Sequence, residues 1–330
     1  MESSHLSSTS IEKLHRNERL NMDRNSVDWR GYWPASPTPF KASGEIDWDA
    51  FDSLLDWYLE QKMHGIFING TTGEWFSQSH EERKAVAEFV AKKIAKRIPV
   101  VIGVTTFTAK ESIELGKHAI SVGLDGVCSS APAYVKTLPD ETVAYFESLS
   151  RGINGPIMIY NWPHGSGIEI AADLAHRLAD IDNIVAIKDS TPNGEQFLNT
   201  TKELSGKVRI FGNFMVPSNL DFMLRNGGDG TIGGGSIFGR ADTIYWEQVW
   251  AGDIESARKH AERNLALLEA LWLPGGWAGK WGGYQSQLKA IMEMIGVPGG
   301  TVRAPRLPIT DPASLTAIRT ILSDFGLIKA

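Results

Sequence analysis

The sequence predicts an α/β fold, a (β/α)8 TIM barrel with a C-terminal helical appendage. From Gly31 onward, short β-branched apolar runs alternate with longer amphipathic runs for roughly 220 residues, a pattern typical of parallel strands buried on both faces. Eight consecutive strand–helix units favour a closed barrel over an open doubly wound sheet. No GxGxxG motif follows the first strand, which disfavours a dinucleotide-binding fold.

Eight short runs are predicted as strands because each is apolar and is separated from the next by room for a helix. In chain order they are Tyr32–Ser36, Gly65–Asn69, Val100–Val104, Gly126–Ser130, Ile157–Tyr160, Ile184–Lys188, Val208–Gly212 and Gly230–Ile232. Helix-like stretches between them include Trp48–Gln61, His80–Lys96, Ala109–Val122, Asp140–Arg151 and Ala171–Ala179.

The chain divides into three predicted parts. Residues 1–28 are rich in Ser, Asn, Glu and Arg and lack an apolar core, so we expect a disordered or loosely packed arm without a secretory signal. Residues 29–251 form the predicted barrel. Residues 252–330 are predicted to be helical and packed on the barrel, with helix-like stretches at Tyr284–Ile295 and Ala313–Leu327.

Composition narrows the functional classes. Of the 330 residues 42% are hydrophobic and 22% charged, which is ordinary for a globular protein with a sizeable core. A net charge of −6 argues against nucleic acid or an anionic membrane as the main partner. Cys128 is the single cysteine and the eight histidines show no ligand spacing, so the sequence predicts neither a metal nor a cofactor and favours a cytoplasmic location.

Lys188 is the most informative residue because it ends a short apolar, β-branched run. Desolvation there lowers the pKa of a lysine, and the neutral amine can attack a carbonyl group. The preceding predicted strand ends in Tyr160, and neighbouring parallel strands place such ends about 5 Å apart. Amine and phenol together are the minimum equipment for Schiff-base chemistry, although a strand-end lysine taken alone commonly reaches solvent.

Other polar and glycine-rich segments follow the strand ends, where barrel enzymes carry their catalytic residues. Gly70, Thr71, Thr72 and Gly73 follow the second strand, where backbone amides and two hydroxyls suit a small carboxylate. A plain glycine turn is the alternative interpretation of this segment.

Several of these segments resemble a known family. GTTGE at 70–74, YNxP at 160–163 and IKDS at 187–190 have the order and spacing of the dihydrodipicolinate synthase and N-acetylneuraminate lyase superfamily, which are pyruvate-dependent class I aldolases. The resemblance extends from about Trp33 to Arg306. It implies a barrel with a C-terminal helical appendage, usually assembled as a tetramer.

The resemblance also implies roles for individual residues. Lys188 would be the Schiff-base nucleophile and Tyr160 the proton shuttle, while Thr71 and Thr72 would hold the carboxylate of a 2-oxo acid. Tyr134 would reach in from a neighbouring subunit and connect to Tyr160 through Thr71. Predicted substrate-binding residues at the same rim are Gly70, Gly73, Trp162, His164, Ser190, Gly212, Asn213, Phe214 and Met215.

The acceptor substrate is inferred from differences to the best-known relatives. Gly165 stands where the synthase branch carries an arginine for a second carboxylate, so aspartate semialdehyde is disfavoured. Phe214 and Met215 stand where the sialic-acid lyase branch carries acidic residues, so a sugar polyol is disfavoured as well. With Trp162 they predict an apolar or aromatic aldehyde.

Two alternatives stay open at the level of sequence. A dehydratase or hydratase–aldolase of the same superfamily would use the same lysine and tyrosine. A barrel that binds a 2-oxo acid without catalysis is the other, although the complete set of Lys188, Tyr160 and Thr71 argues against it. In either case the expected partners are small molecules and further copies of the chain, in a tetramer or a dimer.

Overall fold

The structure, a computed structural model, describes residues 22–329 and contains a closed barrel of eight parallel strands in sequential order. The strands are β1 (Gly31–Ala35), β2 (Ile66–Ile68), β3 (Val100–Gly103), β4 (Gly126–Ser129), β5 (Ile157–Asn161), β6 (Ile184–Asp189), β7 (Arg209–Phe211) and β8 (Gly230–Gly234). Each strand pairs with its sequence neighbours, and β8 closes on β1. The predicted fold class is therefore confirmed.

Helices follow the strands on the outside of the barrel. They are α1 (Trp48–Glu60), α2 (His80–Ile94), α3 (Ala109–Ser121), α4 (Pro139–Gly152), the single turn α5 (Pro163–Ser166), α6 (Ala172–Ala179), α7 (Gly194–Leu204), α8 (Pro217–Asn226) and α9 (Arg240–Ala251). The appendage adds α10 (Ile254–Leu271), α11 (Tyr284–Met294) and α12 (Pro312–Asp324). Side-chain caps start several of them; in α2, Ser79 and Glu82 form a capping box.

Alternating strand residues supply two separate cores. The inside of the barrel is filled by large side chains such as Trp33, Phe67, Met158 and Phe211, and the indole of Trp33 meets Phe211 edge-on at 5.1 Å between ring centroids. The second core lies between the strands and the helices. A filled interior closes the barrel below its upper rim, so a ligand can enter only at the ends of the strands.

The register of β5 and β6 decides which side chains meet at that rim. Ile157 pairs with Ile184 but Met158 pairs with Ala186, so one residue of β6 is skipped. After this irregularity Tyr160 pairs with Lys188. Because a one-residue shift moves every following side chain to the other face of a strand, the irregularity is what brings the lysine to the rim beside the tyrosine.

The N-terminal segment is ordered where the structure describes it, so the prediction of a loose arm over 1–28 is wrong for residues 22–28. Arg24 pairs with Asp229 at 2.8 Å, and the guanidinium of Arg209 donates to the carbonyls of Arg24 and Val27. Trp29 is buried under the barrel. These contacts close the end of the barrel that lies opposite the carboxyl ends of the strands. The remaining part of the predicted arm, 1–21, lies outside the described residues.

The appendage is anchored to the first turns of the barrel by a buried ion pair. Lys289 of α11 contacts the Glu74 carboxylate at 2.7 Å, and both side chains are almost fully buried. The same amine donates to the carbonyls of Thr38 and Thr301. Helix α11 is thereby fixed beside the segment that follows β2.

Over residues 22–329, the chain forms no helix with the length and apolar character that crossing a membrane requires.

Candidate active site

Lys188 and Tyr160 meet at the mouth of the barrel, as the sequence predicts. The Lys188 side chain is only 6% exposed, and its Nζ lies 3.7 Å from the centroid of the Tyr160 ring. The same amine donates a hydrogen bond of 3.0 Å to Ser190 Oγ. Throughout 22–329, no carboxylate forms an ion pair with it. The amine is therefore held in place without a counter-ion to keep it charged.

Burial shifts the pKa of both groups. It lowers the pKa of Lys188 to about 8, with Cys128 and Asp189 opposing the shift only partly. A pKa near 8 leaves about a tenth of the amine neutral at pH 7, against roughly 3 in 10,000 for a free lysine. Burial raises the pKa of Tyr160, although hydrogen bonds with the side chains of Thr71 and Ser190 oppose the rise, so the phenol stays protonated.

The glycine-flanked turn after β2 brings Thr71 and Thr72 to the same cavity as Lys188. Gly73 lies outside this cavity and holds the turn instead, because its carbonyl accepts from Thr38 and Gln78. A side chain at Gly73 would contact the backbone nitrogen of Asn69 at 2.9 Å, so glycine is required there. Gly70 lines a smaller adjoining cavity of about 180 Å³ that also reaches Thr71 and Tyr160.

Asn161 and Asp189, one residue beyond the tyrosine and the lysine, form a buried bridge that sequence reasoning did not find. Asn161 Nδ2 donates to Asp189 Oδ1 at 3.0 Å, and the backbone N–H of Thr191 donates to the same oxygen. Burial raises the pKa of Asp189 to about 6. The bridge fixes the ends of β5 and β6 and so the distance between the two reactive groups. The YNxP and IKDS segments contain the signal, since both place a polar residue directly after the reactive one.

The appendage also contributes to the site, which the sequence did not predict. The phenol of Tyr284, the first residue of α11, reaches the cavity and faces the Thr72 side chain. Gln285 Nε2 donates to the Thr71 carbonyl at 2.8 Å. Both threonines of the turn are thus contacted from the C-terminal part of the chain.

Above Lys188 the cavity is large and has an aromatic wall. Its volume is about 980 Å³, far more than a three-carbon acid occupies. The ring of Tyr160 is parallel to that of Trp162, with centroids 6.1 Å apart and planes 9° apart. His164 lies 5.2 Å beyond Trp162, and Trp277 of the appendage lies 6.3 Å beyond His164. The four rings form a continuous aromatic wall from the amine to the protein surface.

Residues after β7 separate into two groups. Gly212, Asn213 and Met215 line the cavity, and Met215 is the apolar one. Phe214 is 0% exposed and packs between Phe197 and Trp246 in the outer core, so its prediction as a substrate-binding residue is wrong. Phe214 points into the outer core and Met215 into the cavity, so only Met215 can face the ligand.

Tyr134 is the one predicted catalytic residue that does not reach the cavity of its own chain. Its side chain is 92% exposed and its backbone has a φ of 74°. In residues 22–329, no three or more His, Cys, Asp or Glu side chains are grouped so that they could hold a metal ion. The remaining predicted residues, Trp162, His164 and Ser190, all line the cavity.

The sequence of this chain is similar to the sequences of one known protein family. The model of the dihydrodipicolinate synthetase family matches residues 28–323. A 4-hydroxy-tetrahydrodipicolinate synthase of Kosmotoga olearia is 31% identical over 91% of this chain and 100% of its own length. An uncharacterized DapA-like lyase of Rhizobium meliloti is 31% identical over 86% of this chain and 92% of its own.

Solved structures show the same likeness. YagE, a prophage protein of E. coli K12 crystallised in complex with pyruvate, superposes with a TM-score of 0.82 at 26% identity, over 91% of this chain and 100% of that one. Dihydrodipicolinate synthase from Aquifex aeolicus gives a TM-score of 0.79 at 27% identity, over 92% and 100%. The chain belongs to the dihydrodipicolinate synthetase family, a family of carbon–carbon lyases.

Proposed function

We propose that this protein is a class I lyase in which Lys188 forms a Schiff base with pyruvate or a related 2-oxo acid. The observation that carries the proposal is a buried amine at a cavity, with a pKa near 8 and a hydroxyl rather than a carboxylate as its partner. A second buried lysine, Lys289, has an equally low pKa but is bound to Glu74 and lies away from the cavity. Reactivity therefore requires access as well as a lowered pKa.

In the proposed mechanism the neutral amine attacks the carbonyl carbon of the 2-oxo acid. An N–C bond forms, the former carbonyl oxygen takes one proton from the attacking amine and a second from a general acid and leaves as water, and a protonated imine remains. The Tyr160 phenol, protonated at neutral pH and adjacent to the amine, gives the second proton to that oxygen. Loss of a proton from the neighbouring carbon gives an enamine, which adds to the aldehyde carbon, and hydrolysis returns the amine.

The turn after β2 is the proposed carboxylate site. Thr71 and Thr72 line the cavity beside the amine, and Thr71 lies next to Tyr160 there. A substrate carboxylate held there places the adjoining carbonyl within reach of both Lys188 and Tyr160. Fixing the reacting atoms in this way removes much of the entropic barrier to imine formation.

For the acceptor we propose a flat apolar or aromatic aldehyde. The aromatic wall of Tyr160, Trp162, His164 and Trp277 offers ring faces to such a molecule, and Met215 adds an apolar surface in the same cavity. Phe214 is not part of this surface, because it packs in the outer core. Two relatives named above are synthases, yet Gly165 packs so closely on the indole of Trp162 that a Cβ there would collide with the ring. An arginine clamp for a second carboxylate has no room at this position.

We also propose that the protein is cytoplasmic. A contact between subunits near the site is a further part of the proposal. Tyr134 lies with Phe107, Val135 and Leu138 in exposed segments beside the strand ends, and all four side chains are more than half exposed. Exposed apolar side chains of this size are typical of protein–protein contacts. In a dimer or tetramer, Tyr134 would contact the Thr71 of a neighbouring subunit, as the family resemblance implies.

Borohydride reduction in the presence of pyruvate tests the Schiff base. We expect the intact mass to rise by one reduced pyruvyl unit, and peptide mapping to locate it on Lys188. Lys289 is the internal control, because its pKa is equally low but its amine is inaccessible. An adduct on another lysine, or none with any 2-oxo acid, would contradict the proposal.

An aldehyde panel tests the acceptor. With pyruvate as donor, aromatic aldehydes should be converted with a higher kcat/KM than aspartate semialdehyde, and N-acetylneuraminate should be cleaved poorly. A missing charge-assisted contact is worth about 2–3 kcal/mol, or roughly 30-fold or more in kcat/KM. Product analysis also separates aldol addition from the dehydratase alternative, which would release water from a single substrate. Efficient dihydrodipicolinate synthesis would refute the proposed acceptor class.

A further inference from the structure

Neighbouring residues fix the position of the Tyr284 phenol at the mouth of the barrel. Its ring is stacked on Trp272, with centroids 4.8 Å apart and planes 26° apart. Its oxygen lies directly over Gly234 of β8, where any Cβ would collide with it. A glycine at the end of β8 is thus what admits the phenol to the cavity, since every other residue would exclude it.

Two neighbours determine what this phenol can do. Its hydroxyl faces the side chain of Thr72 across the cavity wall, and the phenol of Tyr160 lies at the same cavity. Burial raises the pKa of Tyr284 to about 12, so the hydroxyl keeps its proton at neutral pH. A threonine hydroxyl has one hydrogen to donate and two lone pairs to accept with. If the phenol donates to Thr72, the single hydrogen of Thr72 is left for another acceptor.

The next residue acts on the other threonine. Gln285 is 1% exposed, and its amide donates to the Thr71 carbonyl at 2.8 Å. The first turn of α11 therefore contacts both members of the Thr71–Thr72 pair. Helix α11 cannot shift without moving them, because Lys289 holds it to Glu74 at the end of the same turn.

We propose that Tyr284 is a positioning residue for the carboxylate of the 2-oxo acid, acting through Thr72. Its phenol donates to Thr72 Oγ1 and directs the Thr72 hydroxyl hydrogen toward the substrate carboxylate. The inference rests on the proposed Schiff-base function and assigns to the helical appendage a direct part in binding the donor substrate. Tyr284 would take no part in proton transfer to the reacting carbon.

The test is Tyr284→Phe, which removes the hydroxyl and keeps the ring stacked on Trp272. We expect KM for pyruvate to rise about tenfold, equal to ~1.4 kcal/mol, while kcat changes by less than about twofold. The pyruvate concentration that gives half-maximal borohydride trapping on Lys188 should rise by the same factor. Tyr145→Phe is the matched control, because that buried phenol also bonds hydroxyls, those of Ser112 and Ser129, but lies outside the cavity.

A double-mutant cycle separates positioning from a structural effect. In a Thr72→Val background, Tyr284→Phe should raise KM by less than about twofold, because the path through the Thr72 hydroxyl is already gone. An unchanged KM in Tyr284→Phe would overturn the inference, as would a full tenfold effect in the Thr72→Val background. A loss of kcat of about 100-fold would also overturn it, since that is the scale of a proton-transfer group.

The same trapping experiment keeps this inference distinct from the proposed function. If wild-type protein is trapped on Lys188 and Tyr284→Phe is trapped at the same pyruvate concentration, the Schiff base stands and the positioning role fails. If wild-type protein gives no adduct on Lys188 at any pyruvate concentration, the proposed function fails and the inference fails with it.

Discussion

Replacing Lys188 with methionine should abolish activity and make the folded protein more stable. Burial lowers the pKa of Lys188 from 10.5 to about 8, so the charged form is penalised in the folded state. A difference of about 2.5 pH units corresponds to ~3 kcal/mol at 1.36 kcal/mol per unit. This difference is a net value in which the cation–π contact with the face of the Tyr160 ring, at 3.7 Å, already favours the charged form. We therefore expect Lys188→Met to gain about 1–3 kcal/mol at pH 8.

The gain should depend on pH in a defined direction. Because the folded-state pKa lies below that of the unfolded chain, the unfolded chain binds more protons between about pH 8 and 10.5. The wild-type protein then becomes more stable as pH rises through this window. The penalty is complete below pH 8 and largely gone at pH 10.5, so the advantage of Lys188→Met should shrink over the same interval.

Lys289→Met is the matched control, and its effect should have the opposite sign. Lys289 is also buried, and burial lowers its pKa to about 8, but its amine contacts Glu74 at 2.7 Å. Removing it leaves a fully buried carboxylate without its cation, which destabilises proteins by about 3–5 kcal/mol. Asp189, the acid next to Lys188, is bound by Asn161 and Thr191 instead and keeps those partners in Lys188→Met.

Urea denaturation of the three proteins at pH 8 and pH 10.5 measures these differences. Cys128 and Asp189 interact with Lys188, but their pKa values of about 12 and about 6 lie outside this pH window, so the pH dependence of the difference reports on the lysine. A Lys188→Met protein that is less stable than wild type at pH 8, or whose gain is equal at both pH values, would refute the desolvation argument.

Two further predictions concern the tyrosine and the pocket wall. Tyr160→Phe should keep the Lys188 adduct in borohydride trapping but lower kcat by about 100-fold or more, and a near-normal kcat would remove Tyr160 from the mechanism. Met215→Ala should raise KM for the acceptor by roughly tenfold, because Met215 lines the cavity. Phe214→Ala should instead lower the free energy of unfolding by about 3–5 kcal/mol and leave that KM unchanged, since Phe214 packs in the outer core. The reverse pattern in steady-state kinetics and denaturation would show that the two side chains are exchanged.

The fold could be predicted because its periodicity is local. Eight apolar runs separated by helix-length segments indicate a parallel barrel without knowledge of any long-range contact. The pairing of Tyr160 with Lys188 followed from the same reasoning, since adjacent strand ends in a barrel must meet. The skipped residue in β6 that brings them together was not predicted, because the sequence around Val185 is equally apolar on both sides of it.

Phe214 and Met215 show where local reasoning stops. Both are apolar and both follow the end of β7, so neither residue type nor position in the chain shows which of them lines the pocket. Which of them faces the ligand depends on the path of a short loop segment, in which the carbonyl of Phe214 accepts from Tyr245 and that of Met215 from Asn264. These partners are 31 and 49 residues away, so no pattern near position 214 contains the answer.

Helix α11 shows why the contribution of the appendage was missed, and which signal was present. Gln285, Gln287 and Lys289 are polar and buried, whereas such side chains are ordinarily exposed on a surface helix. Each has a distant partner: Thr71 for Gln285, Leu271 for Gln287 and Glu74 for Lys289. Gln285 and Lys289 therefore present polar side chains to the barrel, whereas Gln287 bonds within the appendage, and a search for an apolar face would place these positions in solvent. Gln285 and Lys289 bind the turn that carries the two threonines. The same contacts therefore determine how the appendage packs and how the proposed carboxylate site is shaped.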